Sequence, residues 1–325
     1  MLRYIVKRLL NMIPLLIGIS LISFVVIHLA PGSPTSISLF NPKISLEVKE
    51  KLDKIYGLDK PLHIQYLNWL RNILRFDFGR SLVDGREVSS KILERAPITL
   101  TINLLSMLLI IFIALPLGLY SGLRRGTFFD RFTTLFVFIG FATPSFWLAL
   151  LAMQLLGVKL GWFPISGITS IDFEYLPWYK KILDFLWHIS LPVLVSCFGS
   201  LAGLSRYSRE KLLDVLDKEY IRTAKAKGLS SSVIIYRHAL KPVFLPVITI
   251  LGLSIPGLLG GSVIFETIFS IPGMGRLFYE AVMMRDYPLI MGLLVIGAFL
   301  TLVGNFLADL SYAWADPRIR YTKSG

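Results

Sequence analysis

Six separated apolar runs constrain this chain more than any other feature: residues 9–29, 98–122, 132–157, 188–206, 243–265 and 289–313. A helix needs about 20 predominantly apolar residues to cross the hydrocarbon core of a bilayer. Backbone polar groups in lipid must bond within their own segment, so each run is expected to be a helix. The fourth run is the shortest and contains Pro192. The composition agrees: charged residues are only 17% of the 325, against about 25% in soluble domains. The expected fold is therefore all-α, a polytopic membrane bundle of six transmembrane helices. The first run exceeds a signal-peptide core, has no small-x-small cleavage site after it and precedes further spans, so it is read as a retained helix.

The net charge of +13 would suit nucleic acid, but its distribution argues for topology instead. Arg3, Lys7 and Arg8 precede the first run, and Arg124, Arg125 and Arg131 lie between the second and third. From Arg206 to Lys241 there are nine Lys/Arg against four Asp/Glu, whereas Lys159 to Asp184 balances three against three. Glu266 to Asp286 has two basic residues against three acidic ones. Basic loops stay cytoplasmic, which puts both termini and the segment 207–242 in the cytosol. The loop 30–97 falls outside, and it is too long for the bias to act on its charges. The lone Cys197 excludes an intramolecular disulfide and a cysteine-rich metal site.

The outer loop carries structure of its own. SLEVKEKLDKIYG is expected to open a helix at Ser45, with Val48, Leu52, Ile55 and Tyr56 on one face and Gly57 as its stop. PLHIQYLNWLRNILRFDFG gives a second amphipathic stretch ending near Gly79. Two readings stand: a dock for a soluble partner, or helices lying on the bilayer surface or capping the bundle. In the third run Pro144 is expected to kink the helix. Trp162, Trp178 and Trp187 suit an interfacial belt. Gly257 and Gly261 form a GxxxG in the fifth run, read first as close helix packing and second as a pore-lining break.

One segment does not belong in lipid. EYIRTAKAKGLSSSVIIYRHALKP, Glu219 to Pro242, is polar and basic between two apolar runs. Leu212, Leu213, Val215 and Leu216 ahead of it and Ile221 within it recur at near-helical spacing, and Ala224 and Ala226 are small helix formers. Gly228 is placed to end a helix in the left-handed conformation, and Ser230 or Ser231 to cap the next. The pattern predicts two helices on a tight glycine turn, a knob whose Arg222, Lys225 and Lys227 offer charge to an acidic groove. A solvated loop, a surface amphipathic helix and a tethered DNA-reading helix-turn-helix are the competing readings.

This segment resembles the cytoplasmic loop of permease subunits of binding-protein-dependent ABC importers. Gly228 matches the loop's glycine, Ala224 its second alanine, and HALKP its ending, whereas Arg222 and Thr223 replace Glu-Ala and Pro242 falls one residue late. RTAKAKGL followed by RHALKP resembles the dipeptide, oligopeptide and nickel branch. The opening MLRYIVKRLL, then HLAPGSP, LRFDFGRS, FETIFSIPGMGRLFYEAVMMRDYP and the final DPRIRY, in that order, resemble that branch's first permease subunit. The resemblance implies the type I ABC importer transmembrane fold in a prokaryotic plasma (inner) membrane. It implies as partners a second homologous permease, two cytosolic ATPase subunits and an external substrate-binding protein. It further implies that Arg222, Thr223, Ala224, Lys225, Ala226, Lys227, Gly228, Leu229 and Ser230 form the coupling segment. A core of 98–314 and a cytoplasmic tail of 315–325 complete the expected organisation.

No G-x-x-x-x-G-K-[ST] occurs, so ATP and its magnesium are expected on the partner ATPase subunits, with no cofactor or metal in this chain. A secondary transporter is the main rival, and such proteins keep ionisable residues inside their spans. Here the span interiors hold only uncharged polar groups such as Asn103, Gln154 and Asn305, which either line the pathway or join helices. His28, Glu266 and Asp309 lie towards span ends. An intramembrane enzyme lacks a catalytic set, since His28, His63, His188 and His238 are dispersed and neither HExxH nor GxSxG occurs. The branch favours short peptides as cargo, with nickel or oligosaccharide as alternatives.

Overall fold

Helices carry nearly all regular structure in the computed structural model, which describes residues 2–29, 57 and 59–315. The expected helix opening at Ser45 and the tail from Asp316 lie outside the described residues, apart from Gly57, whose φ is +68°. Among the described residues there is no strand, only an isolated antiparallel bridge between Arg80 and Glu87. The helices are α1 (Leu2–Leu29), α2 (Leu62–Ile73), α3 (Val88–Leu123), α4 (Phe128–Ala142) and α5 (Ser145–Ala152). There follow α6 (Trp178–Leu216), α7 (Glu219–Ala226), α8 (Ser231–Val233) and α9 (Leu240–Ser254). The last three are α10 (Val263–Ile268), α11 (Met274–Met283) and α12 (Tyr287–Ala315).

Among the described residues, four helical stretches are long and apolar enough to cross a membrane: Arg8–Leu29, Val88–Leu123, Trp178–Leu216 and Tyr287–Leu307. A fifth is counted if the bent pair Phe128–Ala142 and Ser145–Lys159 is one span. The expected kink at Pro144 is a full break, with a bend of 103°. Proline disfavours helical geometry in the residue before it, and Thr143 is accordingly extended (φ −89°, ψ 118°). Past α5 the chain widens into a π-helical stretch, Met153–Lys159.

One further expectation is corrected, and the shortest run proves to be part of a longer helix. The fourth run lies inside the 39 residues of α6, with Pro192 within that helix. The fifth, 243–265, is not one helix. It passes from α9 into a 3-10 stretch, Ile255–Leu259, and resumes only at Val263. Pro256 can donate no hydrogen bond, and Gly261 stands at φ +64°, which ends helical winding there. Of the GxxxG pair, Gly257 packs no helix closely among the described residues, because a Cβ there would meet nothing within 4 Å.

The chain divides into two compact units. The first comprises the described residues up to 99, with 259–263 and 273–306. Its core gathers Phe24 and Ile27 of α1, Val88 and Ile92 of α3, Met274 and Leu277 of α11, and Leu289 and Leu293 of α12. Ser20 of α1 and Tyr66 of α2 share a 2.9 Å hydrogen bond. The turn after α2 closes where Val88 N donates to the Gly79 carbonyl (3.1 Å), with Gly85 at φ +71°.

The second unit comprises residues 100–258 and 264–272, with the described residues from 307 onward. Here α3 and α6 touch through backbone. A Cβ on Gly118 would lie 2.2 Å from the Ser205 carbonyl oxygen, and one on Gly122 would lie 3.2 Å from Leu212. A Cβ on Gly140 of α4 would likewise lie only 2.8 Å from that of Ala202 of α6. Small residues four apart let helices approach where lipid supplies no hydrophobic drive. Many outer side chains are large and apolar, among them Phe112, Phe138 and Trp178, as expected of a surface that meets acyl chains. Trp162, Trp178 and Trp187 are all exposed, and Trp187 stacks on Phe163.

Candidate functional site

The polar segment folds as a hairpin whose inner seam is apolar. α6 ends at Leu216, and after two intervening residues α7 begins with Glu219 in its first turn, where an acidic residue suits the helix dipole. Gly228 has φ +76° and accommodates the reversal without Cβ strain. Its N–H donates to the Lys225 carbonyl (3.0 Å), while Leu229 N reaches the Ala224 carbonyl (3.3 Å). Ser230 occupies the N-cap of α8 with extended geometry, yet its side chain makes no capping bond. From Ile234 to Ala239 the helix is π-wound, just before Pro242, whose ring crowds the carbonyl four residues back.

Leu212, Val215, Ile221, Ala224, Ile234, Ala239 and Val243 are buried together, with Leu119 of α3 and Leu216 packed against them. Complete burial of a side chain such as Leu212 or Ile221 is worth about 1.5–3 kcal/mol. The exposed Arg222–Glu219 pair (2.9 Å) is worth less than about 1 kcal/mol. The seam therefore holds the hairpin, and the charges are left to face outward.

The expected coupling residues divide accordingly. Ala224 points into the seam and is buried. Arg222 is engaged with Glu219 on its own helix, and Thr223 Oγ1 donates to the Glu219 carbonyl (3.0 Å). Lys225, Ala226, Lys227, Gly228, Leu229 and Ser230 are exposed and form the tip. Lys225 and Lys227 make no ion pair among the described residues.

The three polar span residues do not form one site. Asn103 Nδ2 donates to the Leu258 carbonyl (2.8 Å), holding a backbone acceptor in the 3-10 stretch that a continuous helix would have satisfied internally. Gln154 is exposed on the π-helical stretch, and Asn305 is exposed on α12.

Two clusters escaped sequence reasoning. Asp130, only 4% exposed, accepts four hydrogen bonds. Ser121 Oγ (2.6 Å) and Arg209 Nε (2.5 Å) donate to Oδ1. Gly126 N and Arg209 Nη2, both at 2.9 Å, donate to Oδ2. Nothing local in the chain marks Arg209 as the partner of Asp130. The second cluster joins LRFDFGRS to MRDYP. Ser81 Oγ donates to Asp286 Oδ2, and Leu82 N donates to Oδ1 (3.0 Å). Asp84 borders the group and bonds Lys91 Nζ at 2.8 Å. Burial opposes its charge, but the Lys91 side chain, the Arg86 N–H and Ser81 outweigh this and lower its pKa to about 2.

Comparison with known proteins follows the same lines. Residues 114–321 match the family described as binding-protein-dependent transport system inner membrane component, and residues 1–103 match that system's membrane component N-terminal family. The chain is 44% identical to the oligopeptide transport system permease protein AppB of Bacillus subtilis (strain 168), over 98% of this chain and 99% of that one. It is 34% identical to the di/tripeptide transport system permease protein DppB of Pseudomonas aeruginosa (strain UCBPP-PA14), over 99% and 100%. Among solved structures, an inward-facing MetNI methionine ABC transporter chain matches with TM-score 0.53 and 16% identity, over 69% of this chain and 96% of that one. At that identity the likeness establishes fold alone.

Proposed function

This chain belongs to the family of binding-protein-dependent transport system inner membrane components, and on that premise we propose that it lines the import pathway for short peptides. The names of the relatives above, oligopeptide and di/tripeptide permeases, favour peptide over nickel or oligosaccharide. In this reading the four long helices, the bent pair and the interrupted stretch from α9 to α10 make six crossings, with both termini and the hairpin in the cytosol. A second homologous permease completes the pathway, two ATPase subunits bind ATP and magnesium beneath it, and an external binding protein delivers cargo.

The observation that carries the reading is the hairpin tip. Residues 225–230 are exposed, basic and rigidly backed by a buried seam, which is what a lever needs. Lys225 and Lys227 orient the tip in an acidic cleft of the ATPase, and Gly228 and Ser230 shape it. Arg222 and Thr223 brace the helix, and Ala224 anchors it to α3 and α6. ATPase closure pushes the tip, and the helices joined to it tilt the pathway between outward and inward openings. Asn103, Gln154 and Asn305 are the candidate pathway groups, with Asn103 acting through the backbone it bonds.

Gly228→Glu places a charged side chain at the tip in a conformation that only glycine adopts freely. In proteoliposomes holding the full complex, this variant should insert and assemble but lose peptide uptake while ATP hydrolysis continues. Wild-type uptake would refute the assignment. Vanadate should abolish uptake by the unaltered complex, whereas an ionophore-sensitive flux would favour a secondary carrier.

A further inference from the structure

We propose that Asp130 and Arg209 form the joint that makes α3, α4 and α6 move as one body with the hairpin. The inference rests on the hairpin being the ATPase dock, and goes beyond it by naming what transmits the push.

The four bonds to the Asp130 carboxylate come from three places: Ser121 on α3, Gly126 in the turn to α4, and Arg209 on α6. Asp130 itself belongs to the first turn of α4, where Thr127 accepts its N–H at 3.5 Å. One side chain thus ties three helices at one level. The hairpin seam brackets this level: Leu212 lies one turn beyond Arg209 on α6, and Leu119 lies two residues before Ser121 on α3. Clamp and seam therefore share the same two helices within about one turn of each other. Between them the helices cannot slide, since Gly118 and Gly122 of α3 leave no room against α6.

A buried ion pair is a poor source of net stability, because desolvation cancels most of its attraction. What a bidentate Arg–carboxylate fork supplies is one fixed geometry. With the fork intact, displacement of the hairpin is delivered to all three helices. With it loosened, the hairpin can move while α4 lags, and ATP is hydrolysed without matching transport. Asp130 and Arg209 are positioning residues, acting through the helices that their hydrogen bonds join.

The test uses the complete complex in proteoliposomes with Asp130→Asn and, separately, Arg209→Lys, which keeps the charge but not the fork. Ser232, exposed beyond the tip, is replaced by cysteine for cross-linking to the ATPase; Cys197, the chain's sole cysteine, is fully buried. The proposal expects an intact cross-link, ATP hydrolysis within about twofold of the unaltered complex, and peptide taken up per ATP reduced tenfold or more in Asp130→Asn. An unchanged uptake-to-ATP ratio in assembled complex, or uptake and hydrolysis falling in proportion, overturns it. Should Asp130→Asn not assemble, Arg209→Lys decides by the same ratio. No cross-link even in the complex with native Asp130 and Arg209 overturns the docking reading and the clamp's role with it.

Discussion

The Arg209 guanidinium grips the Asp130 carboxylate with two hydrogen bonds, Nε to Oδ1 at 2.5 Å and Nη2 to Oδ2 at 2.9 Å, across 79 residues of chain. The carboxylate is buried, so removing the cation leaves a charge held only by Ser121 and Gly126. Arg209→Ala should destabilise the complex by about 3 kcal/mol, the scale of a broken buried pair. Asp130→Leu combined with Arg209→Ala should cost less than the sum of the single changes, because neither charge is then stranded. Heat-inactivation midpoints of the four forms, scanned at one rate, check this, and strict additivity would contradict it.

Gly118 and Gly257 should respond oppositely to alanine. At Gly118 the new methyl would lie 2.2 Å from the Ser205 carbonyl oxygen and 3.0 Å from the Ser208 Cβ, and that backbone cannot yield without parting α3 from α6. Overpacking of this kind costs about 1–3 kcal/mol. At Gly257 the methyl meets nothing within 4 Å among the described residues. Yield of folded protein after mild heating should drop for Gly118→Ala and hold for Gly257→Ala.

Gly228 separates backbone from contact at the tip. Its φ of +76° costs an ordinary L-residue about 1–2 kcal/mol, and asparagine bears that conformation best. Gly228→Asn should therefore keep more uptake than Gly228→Ala, although asparagine is the larger residue. Uptake rates in the opposite order would show that bulk at the dock, not backbone geometry, is the constraint.

Acid should loosen the turn that carries Asp84. Its pKa of about 2 lies below the ordinary 3.8, so the stability it contributes is full above pH 4 and disappears as pH falls through 2. Amide exchange across residues 79–91, corrected for intrinsic rates, should show protection lost between pH 4 and 2. Asp84→Asn should remove that pH dependence, leaving the segment equally protected across the window.

The apolar runs and the glycine-ended helix at Gly228 were legible from sequence because each is written in neighbouring residues: periodicity, a cap position, a run long enough for lipid. Lys225, Lys227 and the tip followed for the same reason. Tertiary structure alone decided where the runs break. Pro144 turned an expected kink into a 103° bend, and the interrupted path near Gly261 keeps a backbone carbonyl for Asn103. It also turned Ala224 inward, because Leu119, far away in sequence, completes the seam. Ser81 with Asp286 and Asp130 with Arg209 lie beyond any sequence window. A buried carboxylate needs donors of the right geometry, and which donors arrive is settled only when distant helices pack.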